Sequence, residues 1–182
     1  MIKRITGAVS LCAAMMLSTS VFAVEPIQLN GKSYAYNSSE EFTHSYFNNS
    51  EQDKENWNEK VSVIFSSSTR SEDDLEELAN DLRDGYSQNG RLVKAIKIEA
   101  KDGASTKFVV VGVMSGEDVA EGIMARASLV DGHSVVLMYS HRFYNENREK
   151  GLIEWFEANG YTMEKELIDF AEIPDRAEFA AK

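Results

Sequence analysis

Cysteine, histidine and positive charge are the scarce features of this chain. Its 182 residues include one cysteine, Cys12, two prolines, Pro26 and Pro174, and three histidines, His44, His133 and His141. A lone cysteine excludes an internal disulfide framework and the zinc spacings built on cysteine pairs. His133 and His141 share a strand face by parity, but eight residues of extended chain separate them by roughly 26 Å, so they cannot share a metal. No metal and no cofactor is expected. Lysine and arginine total 19 against 30 acidic residues, a net charge of −11. Such a surface repels nucleic acid and anionic lipid headgroups and favours basic partners.

Catalytic motifs are also missing. The nucleophile elbow Gly-x-Ser-x-Gly does not occur; Gly112, Ser115 and Gly116 stand as Gly-x-x-Ser-Gly, which reads as a turn after a strand. Placing Gly85 at the sixth position of a calcium loop puts Leu82 and Arg91 where ligands are required, so an EF-hand is excluded. No catalytic residue is therefore assigned by motif.

Long hydrophobic runs are absent as well. The longest candidate, Ile5 to about Leu17, is broken by Ser18, Thr19 and Ser20 and falls short of the roughly 20 residues a membrane span needs. What the N-terminus does contain is Lys3 and Arg4, that apolar core, and Val21, Phe22 and Ala23, a pattern that matches a secretory signal peptide cut after Ala23. Leu11 before Cys12 spoils a lipid-attachment site. The expected mature protein starts at Val24, has no cysteine, and resides in the periplasm or is secreted. Removing 23 of the 182 residues leaves 159, enough to bury a core without disulfides. Losing Lys3 and Arg4 leaves 17 basic residues against 30 acidic ones, a charge of −13. Four segments are expected: a signal peptide over 1–23, a leading segment over 24–32 with a turn at Asn30-Gly31, a single α+β domain over 33–173, and a flexible tail over 174–182.

Within the domain, Tyr34 and Tyr36 alternate with small residues, and so do Phe42, His44 and Tyr46, which predicts two short strands. A polar loop runs from Asn48 to Asn58, with Trp57 docked on the core because of its size. Val61 to Phe65 reads as a strand. Ser71 with Asp74 three residues on forms a short-armed capping box, and Leu75, Leu78, Ala79, Leu82 and Tyr86 recur at helical spacing, so a long helix is predicted up to Asn89-Gly90. Leu92, Lys94, Ile96 and Ile98 alternate with Val93, Ala95, Lys97 and Glu99 in a strand turned at Asp102-Gly103. Lys107 to Met114 is apolar on both faces, as a central strand would be.

Asp131-Gly132 joins two β-rich runs between Val119 and Phe143. A two-residue turn there pairs Val130 with His133, Arg126 with Leu137, Met124 with Tyr139, and Glu121 with Arg142. Small residues at Ala125 and Ala127 leave room for a helix, and the helix that follows the hairpin is the natural filler. That helix carries Leu152, Ile153, Trp155 and Phe156, starts at Asn145 or Asn147 and stops at Asn159-Gly160. A short third helix over Met163 to Ala171 is predicted from Met163, Leu167 and Phe170.

The fold class is thus α+β: a mainly antiparallel sheet of about five to seven strands, with a long helix after the early strands and a second after the C-terminal meander. From Ser33 to Gly160 this order resembles the PsbP-like fold of small exported and photosynthetic accessory proteins. The resemblance is one of topology, transfers no functional residue and implies a non-enzymatic accessory role.

Two functional readings follow. The first is a soluble binding protein, accessory factor or inhibitor of a basic envelope protein, acting as a monomer or weak homodimer without stable membrane insertion. Its partner-binding candidates are the acidic helix start Glu72, Asp73, Glu76 and Glu77, together with Tyr46 and Trp57. The second is a hydrolase of unrecognised class built on His141 with Glu121, Arg142 and Tyr139.

Overall fold

The computed structural model describes residues 24–48, 55–66, 71–101, 105–174 and 179. The expected signal peptide and the Asp102-Gly103 turn lie outside the described residues. In chain order the elements are β1 (Ile27–Leu29), β2 (Lys32–Glu40), β3 (Thr43–Asn48), β4 (Glu59–Phe65), α1 (Glu72–Asn89), β5 (Arg91–Ile98), β6 (Lys107–Ser115), β7 (Ala120–Val130), β8 (His133–Phe143) and α2 (Arg148–Asp169).

Among the described residues, eight strands form one antiparallel sheet in the order β1-β2-β3-β4-β8-β7-β6-β5. The chain builds half of the sheet by successive hairpins. It then uses α1 to reach the far edge and meanders back until β8 closes against β4. The sheet has one strand more than the upper end of the expected range, because the leading segment pairs with β2 through an Asn30-Gly31 turn in which both residues have positive φ. Val24, Ile27 and Leu29 are buried in the main core, which ties this segment into the domain.

Each helix covers one face of the sheet. Ser71 caps α1: its Oγ accepts from the Asp74 N–H at 3.2 Å, while its own N–H donates to the Asp74 carboxylate at 3.2 Å. Leu75 and Ala79 of α1 pack on Phe108, Ala125, Ala127 and Val136. The small-residue face of the β7–β8 hairpin is therefore filled by the earlier helix, not by the one that follows it. On the opposite face Leu152 and Phe156 of α2 approach Gly122 so closely that a side chain there would overlap them.

Helix α2 also runs through the stop predicted at Asn159-Gly160 and absorbs the predicted third helix. Gly160, Met163 and Leu167 are all buried, so they extend the stripe begun by Leu152. Burial of one continuous apolar face outweighs the roughly 1 kcal/mol that a glycine costs inside a helix. The tail also reaches the core at one point: Phe179 stacks on His44, with ring centroids 3.6 Å apart.

The β7–β8 register agrees with the sequence reading at all four pairs. Two strand readings differ. Phe42 sits in the turn between β2 and β3 and is exposed, and β5 carries a bulge between Leu92 and Lys94. The extra residue moves Leu92 to the α1 side, where it packs near Tyr86, while Ile96 and Ile98 join the core beneath α2.

The Asp131-Gly132 turn has φ of 50° and 76°, the left-handed pair that a tight two-residue hairpin requires. A side chain at Gly132 would meet no atom within 4 Å. The expected loss for Gly132→Val is therefore purely conformational, about 1–2 kcal/mol, and a urea denaturation midpoint measures it. An unchanged midpoint would contradict the role given to this turn.

Candidate functional site

The four residues of the hydrolase reading divide into two pairs on opposite faces of the sheet, because neighbours on a strand point opposite ways. Glu121 and Arg142 form an ion pair at 2.7 Å on the face that carries α1. The Arg142 guanidinium lies 3.9 Å from the Trp57 ring centroid, and the Lys60 ammonium lies 4.5 Å from it. Burial pushes the Lys60 amine down, with the Arg142 charge adding to that effect and the Glu121 charge opposing it. Burial, helped by Glu121, pushes the Tyr86 hydroxyl up to about 12.

Tyr139 and His141 lie on the α2 face. The Tyr139 hydroxyl is 3.1 Å from His141 Nδ1, and the imidazole stacks on Trp155 at 4.6 Å. Sequence reasoning missed the group that organises this pair. Glu59, only 6% exposed, lies opposite His141 on β4. Its carboxylate accepts from Lys32 Nζ at 2.6 Å and from the Tyr34 hydroxyl at 3.0 Å, and it lies 3.4 Å from His141 Nδ1. Burial alone would raise the Glu59 pKa. The hydrogen bonds from His141, Lys32 and Tyr34, with the Lys32 charge, outweigh burial and hold it at about 2. The position of Glu59 just before the apolar run Val61–Phe65 hid it, since it reads as a polar strand edge.

His141 borders an open depression of about 500 Å³ that it shares with Asn58, Arg142, Phe143, Tyr144 and Asn145. Among the described residues, no serine, cysteine, lysine or carboxylate lines it. The Tyr144 hydroxyl already donates to the Trp57 carbonyl at 2.7 Å. The Tyr139 hydroxyl and the Glu59 carboxylate hold the imidazole in one orientation at the edge of this depression.

Of the partner-binding candidates, Tyr46 and Trp57 are buried at 0% and 2% exposure and present no surface to a partner. Their size drove them into the core, as it does for most large aromatics. Glu72 accepts from Thr106 Oγ1 at 2.9 Å and Glu76 from Lys97 at 3.3 Å, whereas Asp73 and Glu77 are exposed to solvent.

A second, more apolar concavity lies elsewhere. A cleft of about 520 Å³ opens between α2 and the β5–β6 edge of the sheet, lined by Val93, Val113, Leu152, Ile153 and Phe156, with Arg91, Glu149 and Glu157 around it. Val93 and Ile153 are each 53% exposed. Val93 is the bulge residue and Ile153 sits beside the buried stripe of α2, so the alternation that placed Val93 in a regular strand and the spacing that counted Ile153 among the apolar helix positions did not reveal their exposure. Among the described residues, no group of three or more His, Cys, Asp or Glu is placed to hold a metal ion, and no helix is long and apolar enough to cross a membrane.

No protein-family model and no curated protein sequence matches this chain. Among solved structures it is similar to the Saccharomyces cerevisiae Ran-binding protein Mog1p, at 12% identity and a TM-score of 0.44, over 80% of this chain and 93% of that one. It is similar also to a mutant of the protein Mog1, at 13% identity and a TM-score of 0.47, over 86% and 98% of the two chains. Likenesses at this level carry no argument about what the chain binds.

Proposed function

We propose that this chain is an exported, non-enzymatic binding protein that docks a basic envelope protein, as an accessory factor or an inhibitor. The observation that carries this reading is the apolar cleft beside α2, which exposes Val93 and Ile153 and is lined by no histidine or cysteine. Clefts of roughly 300–1,000 Å³ with apolar walls are the usual form of small-molecule sites, and exposed apolar surface rimmed by polar residues also marks protein-interaction sites. The hydrolase alternative is left with His141, Tyr139 and the Glu59 carboxylate 3.4 Å from His141 Nδ1, since Glu121 and Arg142 pair on the other face of the sheet. The basic character of the partner rests on charge: an acidic surface steers cationic proteins and slows anionic ones.

Affinity capture from an envelope extract, followed by association kinetics at two ionic strengths, tests the reading. Association should slow severalfold between low and high salt as the charges are screened. Replacing the α1 start together, Glu72→Gln, Asp73→Asn, Glu76→Gln and Glu77→Gln, should slow it at low salt while leaving the fold intact. Equal, salt-insensitive rates would reject electrostatic steering by this acidic surface.

A further inference from the structure

His141 is held from behind and open in front. The Tyr139 hydroxyl lies 3.1 Å from its Nδ1 and a Glu59 carboxylate oxygen 3.4 Å from it. Trp155 stacks on the ring at 4.6 Å, and Phe143 packs against it at 4.8 Å. Glu59, with its pKa held at about 2, is ionised at neutral pH. A carboxylate repels a nitrogen lone pair and attracts an N–H, so the neutral imidazole carries its proton on Nδ1 and its lone pair on Nε2. Among the described residues Nε2 meets no hydrogen-bond partner, and it is not a buried atom, so solvent reaches it. The open space that His141 borders is the depression of about 500 Å³ where β4 starts and β8 ends.

A carboxylate behind an imidazole whose outer nitrogen is free is the arrangement that orients a metal-ligating histidine and raises its basicity. A bare ion is a poor occupant. Among the described residues, no group of three or more His, Cys, Asp or Glu stands ready to complete a coordination sphere, so a metal at His141 has to bring most of its own ligands. An iron porphyrin does so, because the macrocycle leaves an axial position that a single histidine fills. Its apolar plate suits Phe143 and the half-exposed Tyr144 ring. Its two carboxylates need donors. Asn145 Oδ1 already accepts from the Asn147 N–H at 2.9 Å, which leaves the Asn145 amide N–H groups to donate, and Arg142 keeps further N–H groups beyond the one on Glu121.

We infer that this depression binds an iron porphyrin, with His141 Nε2 as the axial ligand and Glu59 as the residue that positions it. The depression and the cleft beside α2 share no lining residue, so porphyrin binding and protein docking can be tested separately.

The test titrates the full chain with iron(III) protoporphyrin IX and follows the Soret band. One equivalent should bind with the spectrum of histidine ligation. His141→Ala should weaken binding by about tenfold or more, and imidazole added to His141→Gly should restore the histidine spectrum, a rescue that a merely structural role would not give. Glu59→Gln keeps the ligand, so the porphyrin should still bind while its reduction potential moves upward, because a less basic imidazole stabilises the ferric state less. His133→Ala, roughly 26 Å away along β8, should bind as the wild type does. In wild-type protein carrying isotope-labelled histidine, electron–nuclear double resonance of the ferric complex should show coupling to the label, a readout that does not depend on how any variant folds. No binding, equal binding to His141→Ala, or no coupling to labelled histidine would overturn the site. An unchanged potential in Glu59→Gln would overturn the positioning role of Glu59.

Discussion

Arg126→Met should destabilise the protein by about 2–4 kcal/mol and loosen the last turn of α2. Arg126 is 2% exposed and lies mid-strand on β7. Its Nη1 donates to the carbonyls of Leu167 at 3.1 Å and Ile168 at 3.4 Å, and to that of Phe170. These belong to the terminal carbonyls of α2, which have no partner within the helix and gather the negative end of its dipole. Burial pushes the guanidinium down to about 10, so it stays charged at neutral pH. Lys107 Nζ donates to the Ile168 carbonyl at 2.6 Å and shares the task.

Exchanging a buried ion for an apolar side chain is often neutral when the ion's partner goes with it. Here the partners are backbone carbonyls that remain after the substitution, and hydrogen bonds from a charged donor are worth about 1.5–3 kcal/mol. Urea unfolding gives the stability change, and hydrogen exchange at Glu166 to Asp169 reports the helix end. Arg126→Lys should recover part of the loss. An Arg126→Met midpoint equal to that of the wild type would mean that relief from burying the charge offsets the lost bonds.

The second large effect is acid sensitivity through Glu59. Its carboxyl is held at about 2, against 4.5 for an unperturbed group. A group whose folded pKa is lowered stabilises the fold in full above its unfolded value and loses that contribution as the pH falls through the folded one. The window is therefore from about pH 4.5 down to about 2. A shift of this size corresponds to roughly 3 kcal/mol. Lys32 is 46% exposed and screened by solvent, so about 2–3 kcal/mol is expected. Glu59→Gln should cost that much at pH 7 and flatten the acid limb of the stability curve. Chemical denaturation at several pH values between 2 and 7 measures both. A variant with the same acid slope as the wild type would place the acid sensitivity on other carboxylates.

These two residues also mark the limit of reading the chain directly. Sequence alone determined the elements whose signals are local. The capping box at Ser71, the Asp131-Gly132 turn and the register counted back from it depend on neighbours within a few residues, and a two-residue turn leaves only one pairing. The antiparallel α+β class followed from the order of those elements. Tertiary structure decided everything that depends on which faces meet. Arg126 stands between Ala125 and Ala127 with no local sign of a partner until α2 crosses above it, and Glu59 gains a low pKa only where β2, β4 and β8 bring Lys32, Tyr34 and His141 to one carboxylate. The continuation of α2 through Gly160 and the filling of the Ala125 and Ala127 face by α1 have the same cause. Burial free energy is summed over contacts between residues far apart in the chain, and where it exceeds a local preference of about 1 kcal/mol the local preference yields.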